Sequence, residues 1–125
     1  MGRWHRRAKG QKGAAAVEFA VVLPLLVTLL FGIIEMGFVM NRWITVTHAA
    51  REGVRRLAIG DAVPTAEAKA RDAAVGLTPA PSCVGATATP SATGVQMTCT
   101  ATYKLQLFIY TNDVTLSSVA RASKE

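Results

Sequence analysis

From Phe19 to Ile34 the chain runs sixteen residues without a charge, and Thr28 is the one polar side chain among them. With no charge at any position of that run, Leu25, Leu26, Leu29 and Leu30 included, it is apolar all round a helix rather than along one stripe. A helix that is apolar on every side belongs either in the core of a large protein or in a bilayer. A chain of 125 residues has no core of that size to offer. Extended to Met40, with Glu35 as its one interruption, the run reaches the length a membrane crossing needs. Pro24 withholds a backbone donor and is expected to bend the helix near its first turns. A neighbouring helix packed close by makes such a residue easier to tolerate in lipid.

What precedes the run is its opposite in character. Arg3, Arg6, Arg7, Lys9 and Lys12 all lie ahead of Gly13, with no acid among them. The net charge of +6 therefore belongs to a short leader, because the remainder carries nine basic residues against eight acidic ones. A basic tail for nucleic acid is the competing reading. The apolar run directly behind the leader favours targeting instead, so no nucleic acid is expected as a partner. The leader is expected to be disordered. The same cations hold the N-terminus in the cytoplasm by the positive-inside rule, which places the C-terminal part outside it.

The helical pattern continues past the span. Trp43, Val46, Ala50, Val54 and Leu57 recur three and four residues apart, with Arg51 and Arg55 on another face. Glu52 and Arg56 have the spacing and order of a surface ion pair, and Gly60-Asp61 reads as a stop. A helix unbroken from Ala14 to Ile59 would be roughly 70 Å long, far more than a bilayer requires. A second helix is expected from Thr65 to about Gly76, with Thr65 as its cap. The stretch TPAPSCVGATATPSATG reads as irregular. From Val95 the period switches to two: Val95, Met97, Cys99, Ala101, Tyr103, Leu105, Leu107 and Ile109 alternate with polar residues. Asn112-Asp113 reads as a turn, and Val114 to Val119 as the partner strand of a hairpin.

The expected class is thus α+β. A basic leader (1–13), a transmembrane helix (14–40) and an amphipathic continuation (41–60) precede a small extracytoplasmic head (61–125). The head holds one helix and an antiparallel hairpin or sheet.

A secretory signal carries its small-residue cleavage site after the apolar region. Here Thr47-His48-Ala49 is a poor candidate, whereas KGQKG-AAAVEF puts a Gly13-Ala14 junction before the run. Glu18 stands fifth counting from Ala14 and Phe19 sixth. This spacing resembles the processing signal of prepilins, cut after the glycine on the cytoplasmic face by a dedicated peptidase. The resemblance extends through AAAVEFAVVLPLLVTLLFGIIEMGFVMNRW and ITVTHAAREGVRRLAIG, roughly residues 13 to 60. There the chain is similar to the TadE-like family of minor pseudopilins of the tight-adherence pilus. Lys12 ahead of the glycine is compatible with the pattern without being diagnostic. The resemblance implies an assembly or structural subunit in the cytoplasmic membrane, carried in some cases into a surface fibre. Its implied partners are a prepilin peptidase, other pilins and pseudopilins, an inner-membrane assembly platform and the lipid bilayer.

Under that resemblance Glu18 neutralises the new amino group of Ala14, its own or a neighbour's. The plainer reading is an acid favoured by the helix N-terminus. Glu35 falls about 25 Å of helix beyond Glu18, near the outer boundary of the bilayer. There an interfacial acid and a role in helix pairing are equally open. Cys83 and Cys99, the only cysteines, favour a disulfide in a small exported domain. Two unpaired core residues are the alternative. With neither CxxC spacing nor histidine partners, no metal site is expected, and no cofactor.

Catalysis would need a nucleophile with its base, paired carboxylates or metal ligands. His5 lies in the leader and His48 just beyond the span, while Glu67, Asp72 and Asp113 read as surface charges. No enzymatic activity is expected. A single-span protein whose exported head binds a ligand or surface is the alternative function. A secreted protein released with loss of the whole helix is a third.

Overall fold

The computed structural model describes residues 8–88, 94–107 and 110–124. In chain order these form helix α1 (Ala8–Ala58), helix α2 (Val63–Ala73) and strands β1 (Ser82–Ala88), β2 (Gly94–Leu107) and β3 (Tyr110–Ser123). The class is α+β. The chain divides into two compact units, Met1–Ile34 and Glu35–Glu125. The first contains only α1 and whatever precedes it. The expectation of a disordered leader is corrected from Ala8 onward, where the residues already belong to α1; residues 1–7 lie outside the described residues. Lys9, Gln11 and Lys12 are good helix formers and extend the turn begun by the alanines.

α1 ends as its sequence suggests. Gly60 adopts φ 97°, which no β-carbon opposes. Its N–H donates to the Leu57 carbonyl (3.2 Å), and the Asp61 N–H to that of Arg56 (3.1 Å). This pair of bonds is the Schellman closure, and it satisfies two carbonyls the helix leaves open.

α2 starts earlier than expected. Ala62, not Thr65, is its N-cap and makes no side-chain bond, while Pro64 stands in the first turn. The fixed φ of proline is already helical and its missing N–H costs nothing there. Thr65 is therefore carried inside the helix.

The three strands form one antiparallel sheet in the order β1-β2-β3. β1 corrects the expectation of an irregular segment. Its SCVGATA sequence has too little apolar contrast to show a period of two, and pairing with β2 from Ser82↔Thr100 to Ala88↔Gly94 makes it a strand. The alternation in β2 is confirmed through Leu105; the Leu107 side chain and Ile109 lie outside the described residues. The turn is also corrected. Asn112 and Asp113 lie inside β3, opposite Leu105 and Lys104, and the pair nearest the reversal is Leu107↔Tyr110. The observed register sets buried Leu116 opposite buried Ala101, a pairing that a reversal at Asn112-Asp113 would break.

The core of the second unit lies between one face of this sheet and the two helices. Val46, Ala49, Ala50, Val54 and Leu57 come from α1, and Ala66 and Ala70 from α2. Val95, Met97, Cys99 and Ala101 of β2 meet them with Cys83 of β1. Most of these side chains are small, so the backbones approach closely. Trp43, expected on this buried stripe, is 45% exposed, because at that turn Arg42 is the residue that faces the sheet, over Tyr103. A disulfide joins Cys83 to Cys99 directly across the β1–β2 pair, with Cα atoms 4.1 Å apart.

Candidate functional site

The N-terminal constellation sits on the first unit's helix. Gly13, Ala14, Glu18 and Phe19 are all exposed, and nothing comes within 4 Å of where a Gly13 β-carbon would be. Ala14 and Glu18, four residues apart, share one helix face a single turn from each other. A cut after Gly13 would put the new amino group of Ala14 one helical turn from the Glu18 carboxylate. Most large hydrophobics from Val17 to Ile44 are exposed, Val27 and Val39 being half-buried, and none of the most apolar window is buried. α1 is the single helix among the described residues that is long and apolar enough to cross a membrane. Pro24 lies within it, and its carbonyl accepts a bond from the Thr28 hydroxyl (2.8 Å).

The AAREGVRR stretch belongs to the second unit, and the reason for its composition is packing. Ala49 and Ala50 are fully buried. A β-carbon on Gly53 would stand 2.8 Å from Met97 Cε and Cγ and 2.9 Å from Ala70 Cβ. Glycine at this position lets α1, α2 and β2 meet. On the solvent side Glu52 accepts from Arg55 Nε (3.0 Å) and Arg56 Nε (3.0 Å), so the expected pair with Arg56 is present and Arg55 joins it. Hydrogen bonds from Arg55 and then Arg56 hold the Glu52 carboxyl below its ordinary range, against a smaller opposing effect of burial.

Glu35 is half-buried, and its Oε2 accepts a hydrogen bond from the Tyr103 hydroxyl (2.9 Å). The Arg42 guanidinium lies 4.5 Å from the centre of the Tyr103 ring, a cation–π distance. Burial, followed by the hydrogen bond to Glu35, pushes the Tyr103 phenol upward, while Arg42 draws it down. Arg42 is seven residues from Glu35, two turns along the same helix face. Neither Tyr103 nor Arg42 stands out in the sequence. The signal that could have marked Tyr103 is a hydroxyl on the strand's apolar face, which needs a polar partner once buried. Glu67 is more than a surface charge as well, since its Oε1 accepts from the Gly85 N–H (2.9 Å) and ties α2 to β1.

A family model described as TadE-like protein matches residues 13–55. The match covers the stretch that carries the resemblance, from the glycine of the junction to the AAREG turn, and stops before α2 and the sheet. No curated protein and no solved structure matches the chain.

Proposed function

We propose that this chain is a minor pseudopilin-like assembly or structural subunit of a tight-adherence pilus. In this reading it is held in the cytoplasmic membrane by α1, cut by a prepilin peptidase between Gly13 and Ala14, and packed through α1 against other pilins and pseudopilins. The supporting observation is the TadE-like match that begins at residue 13 and runs along a helix whose apolar window is entirely unburied. Such a helix needs either lipid or sister helices around it. The same surface serves both, first in the membrane and then in a fibre. Glu18 supplies the carboxylate that offsets the amino group of Ala14 when water is excluded, since an unpaired charge in that setting is costly. The role is non-catalytic, and the head faces outward.

N-terminal sequencing of the protein from cells tests the reading. Ala14 as first residue supports it, and Gly13→Val should leave the leader in place. Recovery of Met1 or Gly2 on assembled wild-type protein supports a simple membrane anchor instead. Loss of the whole helix supports secretion.

A further inference from the structure

The sheet of the unit Glu35–Glu125 has two edges, and the fold treats them differently. β1 is short, at seven residues. α2 packs against it, and the Glu67 carboxylate takes up the Gly85 N–H (2.9 Å). Brevity and cover are devices that keep a strand from pairing with a stranger. β3 has neither. It runs fourteen residues, Tyr110–Ser123, without a proline. It pairs one-to-one with β2 from Gly94↔Ser123 to Leu107↔Tyr110, so no bulge interrupts it. β2 is its one strand neighbour among the described residues. Every second residue of β3 therefore turns its N–H and C=O to the far side, where the β2–β3 ladder does not use them. Its two charges, Asp113 and Arg121, are both exposed. Lys104 stands opposite Asp113 on β2, yet among the described residues neither Asp113 nor Arg121 enters an ion pair.

We infer that β3 is a pairing edge for a second copy of this chain, joined antiparallel about a two-fold axis at Ser117. That centre sets Asp113 of each copy opposite Arg121 of the other, twice in one contact. Moving it by one residue leaves the same charges facing Val119 and Thr111, or Ser123 and Thr115. Because the centre falls on a residue, positions that turn their backbone outward meet positions that do the same. About one hydrogen bond then forms per residue of overlap, and the overlap 111–123 is about 44 Å long. On the helix side of the seam Val114 meets Ala120 and Leu116 meets Ser118, and on the open side Thr115 meets Val119. No like charges face each other across it. With the β1 edges closed, growth stops at two copies, as a six-stranded sheet rather than a fibre. Met97 lies against Gly53 and Tyr103 against Glu35, so β2 runs opposite to the Glu35–Ala58 stretch of α1, and β3 runs with it. The two-fold therefore places the Glu35 ends at opposite ends of the pair. The contact joins copies presented in opposite directions; it involves this unit alone and goes beyond the pilus reading.

Cysteine cross-linking of the full chain in detergent tests this. The two native cysteines are joined to each other, so an added thiol is the only free one. Ser117 lies on the axis, where facing Cα atoms of an antiparallel pair are about 4.5–5.5 Å apart, within disulfide range. Thr115 lies about 14 Å from Thr115 of the other copy and is the control. Mild oxidation should couple Ser117→Cys to itself and leave Thr115→Cys single, while a mixture of Thr115→Cys with Val119→Cys should couple. On the Ser117→Cys background, Asp113→Arg or Arg121→Asp alone should lower the yield of coupled dimer about tenfold. Mixing those two variants should restore it, a rescue that neither misfolding nor association through α1 produces. Coupling that is equal at positions 115 and 117, or that ignores both charge reversals, overturns the inference. So does a thiol at position 117 that couples in cells to a different protein and never to its own copy.

Discussion

Substituting Gly53 by alanine sets two effects of known sign against each other. In a helix interior alanine is favoured over glycine by about 0.8–1 kcal/mol, so propensity alone predicts a more stable protein. The packing opposes this. The new methyl would stand 2.8 Å from two Met97 carbons and 2.9 Å from Ala70 Cβ. The methionine can swing aside, but Ala70 Cβ is fixed to the α2 backbone and yields only if that helix shifts. Overpacking of this kind costs about 1–3 kcal/mol, so a net loss of about 1 kcal/mol is expected. For a unit of this size that lowers Tm by about 5 °C. The assay is thermal unfolding of the full chain in detergent, followed by near-ultraviolet circular dichroism. Gly37→Ala is the control, because nothing lies within 4 Å of its β-carbon. A double-mutant cycle with Met97→Ala separates the movable neighbour from the fixed one, and a coupling of about 0.5 kcal/mol or more is expected for residues in contact. If Gly53→Ala raises Tm as much as Gly37→Ala does, the close approach of α1 to the sheet is not what selects glycine here, and the packing argument fails.

Removing the disulfide by Cys99→Ala should cost about 3 kcal/mol by loop-closure entropy and free β1 before the helices melt; thiol labelling of denatured protein taken directly from cells should find neither cysteine reactive without reduction. The Glu52 carboxyl is held low, so its contribution is present above the ordinary value of 4.5 and fades as pH falls through the lowered one; Glu52→Gln should flatten the acid limb of a Tm-against-pH curve. Tyr103 is raised above 10.0, so its contribution is complete below that value and is lost as pH rises through the higher one. An ultraviolet titration of the phenols should show one late-ionising tyrosine, absent in Tyr103→Phe. A reporter active only outside the cytoplasm, fused after Glu125, should work, and activity of a cytoplasm-dependent reporter alone would contradict the orientation.

The long helix, the stop at Gly60 and the alternation of β2 are legible in the sequence because each is a strong local signal: sixteen uncharged residues, a glycine after a periodic run, and large side chains at every second position. β1 is not legible, because Gly85, Ala86 and Thr87 carry almost no hydropathy contrast and become a strand only through β2. The reversal near Leu107 is hidden for a related reason. Asn112-Asp113 has the chemistry of a turn, but the register that buries Leu116 opposite Ala101 sets the turn elsewhere. Of the candidate residues, the cysteine pair follows from two cysteines in a small domain expected to be exported. The Glu35–Tyr103 bond does not, since it joins residues 68 positions apart. The glycine of AAREG is visible as a motif, but the crowding that requires it emerges only when Met97 and Ala70 are placed beside it.

The boundary between anchor and head has a practical consequence. Val46, Ala49, Ala50, Gly53, Val54 and Leu57 form one wall of the head's core, although they belong to the helix that begins at Ala8. A soluble fragment cut where the helix ends, at Gly60, would expose the buried faces of Met97 and Cys99 and aggregate. One beginning at Glu35 would keep the wall and the acceptor of the Tyr103 bond, at the expense of carrying Met36, Phe38 and Met40 into water. Exchange of heads between relatives therefore belongs upstream of Glu35, in the apolar run, where among the described residues no buried core side chain is divided from its partners.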